Sequence, residues 1–252
     1  MVAKRIIPCL DVKGGRTVKG INFGQLRDVG DAVELGQYYA RSGADELVYL
    51  DISASKEERA TFTHLVERIA DGINIPFTVG GGIGSMEDAA RLLDAGADKI
   101  SINSAAIAHP ELIAQIASRY GSQFVVGAID ALQDEEGVWG VTTHGGSRRS
   151  DRELFEWARE AQERGAGEIL FTSMNHDGTR RGYPCQTFAR LAEQLSIPII
   201  ASGGAGSVED IAQVLTLGKA DAALAASIFH YGEITVEELK LRLREQEIDV
   251  RL

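Results

Sequence analysis

Gly81-Gly82-Ile83-Gly84-Ser85-Met86-Glu87-Asp88 returns 122 residues later as Gly203-Gly204-Ala205-Gly206-Ser207-Val208-Glu209-Asp210. Gly43-Ala44-Asp45-Glu46-Leu47 returns at the same offset as Gly165-Ala166-Gly167-Glu168-Ile169. Asn103-Ser104 corresponds to Ala226-Ser227 at 123, and Leu10-Asp11-Val12-Lys13 to Ile129-Asp130-Ala131-Leu132 at 119. Offsets this constant divide the chain into two homologous halves, about 1–122 and 123–252, and decide the fold.

Short apolar segments near 5–10, 46–51, 76–80, 98–102, 124–130, 167–173, 198–202 and 221–225 read as strands, each followed by a helical pattern. They are apolar nearly throughout, as parallel strands covered on both faces are. Stretches such as Asp31–Ala40 and Asp151–Glu160 open on an aspartate able to cap free N–H groups, then place apolar residues at helical spacing. Eight strand–helix units predict an α/β fold, a single (β/α)8 TIM barrel built from two (β/α)4 halves. An open doubly wound sheet is the alternative, but two matching four-strand halves close most naturally into one barrel. No linker or second domain is visible in residues 1–252.

With 252 residues, 44% hydrophobic and 25% charged, the chain can bury a full core. A formal charge of −11 argues against nucleic acid or an anionic membrane as partner. Cys9 and Cys185 lie in no CxxC or metal-ligand spacing, and Met1–Arg5 runs straight into a strand without a signal-type apolar region. No apolar run approaches the roughly 20 residues of a membrane span. The expected location is the reducing cytoplasm.

In such barrels chemistry gathers at the C-terminal ends of the strands. Asp11 and Asp130 end the first and fifth strands, opposite each other on an eight-strand ring, and are the candidate acid and base. The structural alternative is that each caps a loop. Asp51, ending the second strand, and Asp177, in the loop after the sixth, belong to the same face as possible catalytic support.

Glycine usage points to phosphate. Gly81 and Gly82 end the third strand and Gly203 and Gly204 the seventh; each pair leads into a serine-capped helix. Glycine lets N–H groups approach an anion closely, and a helix N-terminus adds a favourable dipole. Asn103 and Ser104 after the fourth strand, and Ala226 and Ser227 after the eighth, would complete one anion pocket per half, with Gly178 beside the later one. Turns alone explain a lone glycine pair; a matched pair repeated in both halves implies a ligand with a phosphate at each end.

Ala3–Lys13 with Val18-Lys19-Gly20, together with Pro76–Ile83, Ala97–Asn103, Arg164–Ile169 and Ile200–Gly206, resembles the cyclase subunits of imidazole glycerol phosphate synthases. The resemblance runs from end to end. It implies a lyase-type reaction of histidine biosynthesis, in which ammonia and a linear bisphosphorylated substrate (PRFAR) give imidazole glycerol phosphate and an aminoimidazole carboxamide ribonucleotide. Asp11 and Asp130 would be the general acid and base, in an order the sequence leaves open. Lys19, in the glycine-rich loop Gly14–Gly24, would ride on a mobile lid; a solvated loop lysine is the alternative.

Arg5, Glu46, Lys99 and Glu168 each immediately precede the apolar body of a strand. Read alone they are stabilising ion pairs of the bottom face; the resemblance implies the charged ring at an ammonia entrance, with Thr78 near the far end of the channel. A Cys-His-Glu glutaminase signature is missing, so the chain needs either free ammonia or a partner, which the resemblance implies is a glutaminase (glutamine amidotransferase) subunit in a heterodimer. Asp98 and Gln123 are its expected contacts. Gly14 stands where relatives usually carry aspartate, which is expected to loosen the lid. Gln133–Arg149 reads as a hairpin whose Thr143, His144 and Gly145 reach the substrate. The five histidines lack ligand spacing, so no metal or organic cofactor is expected. The sister bisphosphate isomerase of the same pathway, and a non-catalytic bisphosphate scaffold, are the rival readings.

Overall fold

The computed structural model describes residues 2–21, 24–52 and 56–252, apart from the side chains of 19–21, 24–26 and 56–61. The chain opens with β1 (Arg5–Lys13), β2 (Arg16–Ile21), β3 (Gly24–Asp31) and α1 (Ala32–Arg41). β4 (Leu47–Asp51), α2 (Lys56–Gly72), β5 (Phe77–Gly80), α3 (Met86–Asp94), β6 (Lys99–Ile102), α4 (Ser104–Ala108) and α5 (Glu111–Tyr120) complete the first half. The second half repeats the plan with β7 (Val125–Gln133), β8 (Trp139–Thr143), β9 (Arg148–Glu153), α6 (Leu154–Glu163), β10 (Glu168–Ser173) and α7 (Cys185–Gln194). It ends in β11 (Ile199–Ser202), α8 (Val208–Thr216), β12 (Ala222–Ala225), α9 (Ser227–His230) and α10 (Val236–Glu245).

β1, β4, β5, β6, β7, β10, β11 and β12 pair in that order, all parallel, and β12 returns to β1. The expected (β/α)8 barrel is therefore present, its strands within a few residues of those read from sequence. β1 and β7 stand four places apart on the ring, diametrically opposed.

The twofold period of a strand sorts its residues. On β1, Ile7 and Cys9 join Val48, Val126, Leu170, Ile200, Ala222 and Leu224 in a small cluster inside the barrel. Ile6 and Leu10, with Tyr49, Phe77, Ile100, Ile129 and Phe171, face out into the much larger core shared with the helices. Strands buried on both sides this way read as continuous apolar runs.

Two expectations change. The segment 14–24, read as a loop, contributes to an antiparallel excursion: β2 pairs with β1, Asp11 opposite Val18, and with β3. The neighbouring glycines mask the alternation in Arg16-Thr17-Val18. Gly14 and Gly15, at φ +57° and +80°, form the two-residue turn between β1 and β2; both central residues need positive φ in the hairpin turn that suits strand twist. Gly14 thus fits the turn it occupies. The second change is the cap of α6: Asp151 lies in β9, and Glu153 accepts from the N–H groups of Phe155 and Glu156. β9 continues two residues past Asp151, so the cap moves with the strand end. The hairpin after β7 is as expected, with Asp130 opposite Thr142.

The duplicated glycines hold the strand ends close. A Cβ on Gly81 (φ +98°) would lie 2.1 Å from the Asp51 carbonyl oxygen; on Gly203 (φ +84°) it would lie 2.6 Å from that of Ser173. Asp51 and Ser173 are themselves related by the 122-residue offset. Gly81→Ala and Gly203→Ala should each lose roughly 3 kcal/mol or more in urea unfolding, from overlap added to strain. Gly43→Ala, also at positive φ but with nothing within 4 Å of its new Cβ, should lose about 1 kcal/mol. Equal losses at all three would refute the close approach as the reason for glycine.

Candidate active site

Asp11 and Asp130 come from opposed strands and line one cleft of about 870 Å³ at the C-terminal mouth. Asp177, Gly178, Gly203, Gly204, Ala226 and Ser227 line the same cleft. Asn103 Nδ2 donates to Asp130 Oδ2 at 2.9 Å. Burial first, and then the charge of Asp177, raise the Asp130 carboxyl to about 6, against hydrogen bonds from Thr172 and Asn103 that favour its anion. A carboxyl raised in this way by burial and by the charge of Asp177 is suited to holding a proton near neutral pH.

The expected phosphate groups do not all meet in one cavity. Those of the second half line the main cleft. Gly81 and Gly82 line a separate cavity of about 270 Å³ with Asp51 and Asp88. The Asn103 side chain turns to Asp130, and Ser104 Oγ accepts from His144 N–H at 3.0 Å. That bond ties the β8–β9 turn, with Gly145 in it and Thr143 at the end of β8, to the residue two beyond β6. The N-termini of α3 and α8 already use their own caps: Ser85 Oγ takes Asp88 N–H and Ser207 Oγ takes Asp210 N–H, while the two aspartates take Gly84 and Gly206 N–H. Lys19 lies in β2, but its side chain is outside the described residues.

At the opposite end, Arg5, Glu46, Lys99 and Glu168 form a closed ring. Arg5 Nη1 contacts Glu46 at 2.9 Å and Glu168 at 3.0 Å; Lys99 Nζ contacts Glu46 at 2.9 Å and Glu168 at 3.2 Å. Thr78, expected near the far end of the channel, instead sits at the ring, because the β5–β6 register sets it beside Lys99; its Oγ1 donates to Glu46 Oε1 at 2.8 Å. Asp98 accepts from Phe77 N–H at 3.0 Å, as Asp221, its counterpart at offset 123, does from Ile199 N–H at 2.9 Å. Asp98 therefore has a duty in the fold besides any contact with a partner. Gln123 is exposed and donates to the Tyr120 carbonyl at 3.1 Å.

Sequence reasoning missed three groups. Thr172 is opposite Asp130 in the β7–β10 register and its hydroxyl reaches it; register alone exposes it. His230 Nε2 meets the Cys9 carbonyl at 2.9 Å and Nδ1 the Tyr39 hydroxyl at 2.7 Å. A carbonyl only accepts, so Nε2 carries the proton and Tyr39 donates to Nδ1. The pairing of β1 with β12 ends at Pro8 and Ala225, so His230 meets the next carbonyl where the two strands part. Arg180 lines the cleft; its signal was a basic pair between Gly178 and Gly182.

A closed barrel with opposed carboxyl groups and glycine turns at one mouth defines an enzyme of the TIM-barrel class acting on a small molecule. Residues 5–235 match the model of the histidine biosynthesis protein family. The chain is 62% identical over 251 residues to the imidazole glycerol phosphate synthase subunit HisF of Bacteroides fragilis strain YCH46, covering 100% of both proteins. It is similarly 62% identical to that of Bacteroides thetaiotaomicron and 57% to that of Flavobacterium johnsoniae, again covering 100% of each. The chain belongs to this histidine-biosynthesis family, with the HisF cyclase subunits as its close homologues. Their name makes those relatives subunits of a synthase.

The raised Asp130 carboxyl has a consequence for stability. The unfolded carboxyl ionises near 3.8 and the folded one near 6, so the native state holds more protons in between. Stability contributed here is highest below about pH 4 and falls as pH rises to about 6. Asp130→Asn should therefore raise Tm at pH 7.5, by at most about 3 kcal/mol in free energy, and leave it nearly unchanged at pH 4. Equal shifts in Tm at both pH values would contradict the raised carboxyl.

Proposed function

We propose that the chain catalyses the ammonia-dependent cyclisation of PRFAR to imidazole glycerol phosphate and the aminoimidazole carboxamide ribonucleotide, with Asp130 as acid and Asp11 as base. The observation that carries this reading is the placing of both carboxyl groups on opposed strands in one cleft with the second-half glycine turns. The glycine pairs at two places around the mouth suit a linear substrate with a phosphate at each end.

Ammonia adds to the ketone carbonyl, the adduct loses water, and the imine cyclises onto the formimino carbon with elimination of the aminoimidazole carboxamide ribonucleotide. Asp130, lifted to about 6, can carry the proton that the departing water needs. Asp11, across the cleft, then takes the proton released from nitrogen on cyclisation and returns it to the departing amino nitrogen. A positioned carboxyl group contributes ~10²–10⁴-fold to such a step. Asp51 and Asp177 support the site from its edges, Asp177 through its charge on Asp130, and Lys19 is the cation of the lid.

The ring at the barrel's far end is the proposed ammonia entrance. With its four members mutually paired, ammonia passes only when a pair opens, an event a docked glutaminase would drive. Asp98 and Gln123 lie on that rim as partner contacts, and the complex is a cytoplasmic heterodimer. No helix among the described residues is long and apolar enough to cross a membrane. The described residues contain no His, Cys, Asp and Glu cluster suited to a metal, and the proposed chemistry calls for no cofactor. The isomerase alternative lacks support from the relatives above, which are imidazole glycerol phosphate synthase subunits by name.

Asp11→Asn and Asp130→Asn should each lower kcat at least ~10²-fold while leaving the Kd for the bisphosphate within about threefold of wild type. Ammonium salts at high pH should support turnover by the chain alone, and glutamine only with a second protein added. One-to-one isomerisation of the substrate, or full turnover in either variant, would overturn the assignment.

A further inference from the structure

The charge of the main cleft is poorly matched to the ligand it is proposed to hold. Among the described residues that line it, Asp11, Asp130 and Asp177 are acidic and Arg180 is the one cation. A phosphate monoester at Gly203 and Gly204 brings nearly two further negative charges. Backbone N–H groups answer these with partial charges only, and a full cation on the same wall changes the balance from repulsion towards attraction.

Arg180 is built into the glycine turn. Gly182 N–H donates to the Gly204 carbonyl at 2.9 Å. At Gly206, any Cβ would lie 2.4 Å from the Arg180 carbonyl oxygen and 3.0 Å from its Cα. The Arg180 backbone is thus fixed against the turn expected to hold the phosphate. It also sits at φ +60°, a left-handed conformation uncommon for a side chain of this size. Strained positions of this kind concentrate at ligand clamps.

The guanidinium is paired with Glu233, just beyond α9, and the two side chains are 43% and 36% exposed. A pair this open is held weakly. Phosphate offers a planar guanidinium a stronger, two-pronged partner. Glu233 therefore keeps the arginine at the rim, ordered and available for exchange.

We propose that Arg180 is a phosphate-binding residue of this cleft, which exchanges Glu233 for the substrate phosphate lodged against Gly203 and Gly204. The identity of the substrate rests on the cyclase reading; the anion does not.

The test uses the full chain with Arg180→Gln, Arg180→Lys and Glu233→Gln. Binding of inorganic phosphate is followed by ³¹P NMR titration, and KM and kcat for the bisphosphate are measured with ammonium as nitrogen donor. Arg180→Gln should weaken one phosphate site and raise KM, each about tenfold or more, with kcat within about twofold of wild type. Arg180→Lys should retain part of both, and Glu233→Gln should lower KM by freeing the arginine. Unchanged phosphate affinity and KM in Arg180→Gln would overturn the proposal, as would a Glu233→Gln defect equal to it, since the pair would then only brace the loop. A wild-type chain that binds phosphate but shows no ammonia-dependent turnover would remove the cyclase reading, while the phosphate titration would still decide the role of Arg180.

Discussion

A barrel strand sends every second side chain into the lumen, and this constraint ties the two ends of the molecule together. On β1, Arg5 points into the ring at the bottom, Ile7 and Cys9 fill the interior, and Asp11 reaches the cleft. On β10 the same spacing runs from Glu168 through Leu170 to Thr172. A one-residue slip of either strand would turn a charge into the apolar shell under the helices and an aliphatic side chain into the cleft. The ring therefore helps hold the register that presents the carboxyl groups. Glu46, 2% exposed, meets both cations of the ring, so removing either leaves a buried carboxylate underpaired.

Duplication supplied equivalent positions, and the side chains then diverged. Asn103 donates its amide to Asp130, whereas its counterpart after β12 is Ala226, which has no polar side chain to offer Asp11. Tyr39 and His230 tie α1, α9 and β1 together, where the other half places Ala161 and Ile107. The two carboxyl groups thus occupy related backbone sites in different surroundings. Around Asp130, burial and the charge of Asp177 raise the carboxyl's proton affinity, as the role of acid requires.

Much of this was legible in sequence because it depends on backbone period and repetition. The eight barrel strands, the serine caps at Ser85 and Ser207, and the placing of Asp11 and Asp130 all follow from pattern and offset. The β2–β3 pairing was not legible, because glycines at 14, 15, 20 and 24 masked the alternation of Arg16-Thr17-Val18. The orientation of Asn103 was not legible either, since a side-chain amide can serve a carboxylate or an anion equally well. Arg180 escaped because its placement depends on contacts between the 178–182 segment and the glycine turn after β11, which lie far apart in the chain. The four charges below the strands were found as a set, but their closure into one ring required the barrel itself.

At the centre of the account stands one substrate molecule that spans the mouth, with a phosphate in each half and both carboxyl groups beneath it. The most direct measurement is a ³¹P NMR titration of the Asp130→Asn chain with the linear bisphosphate. One molecule should bind per chain, with both phosphorus resonances displaced together. Two molecules per chain, or displacement of a single resonance, would contradict it.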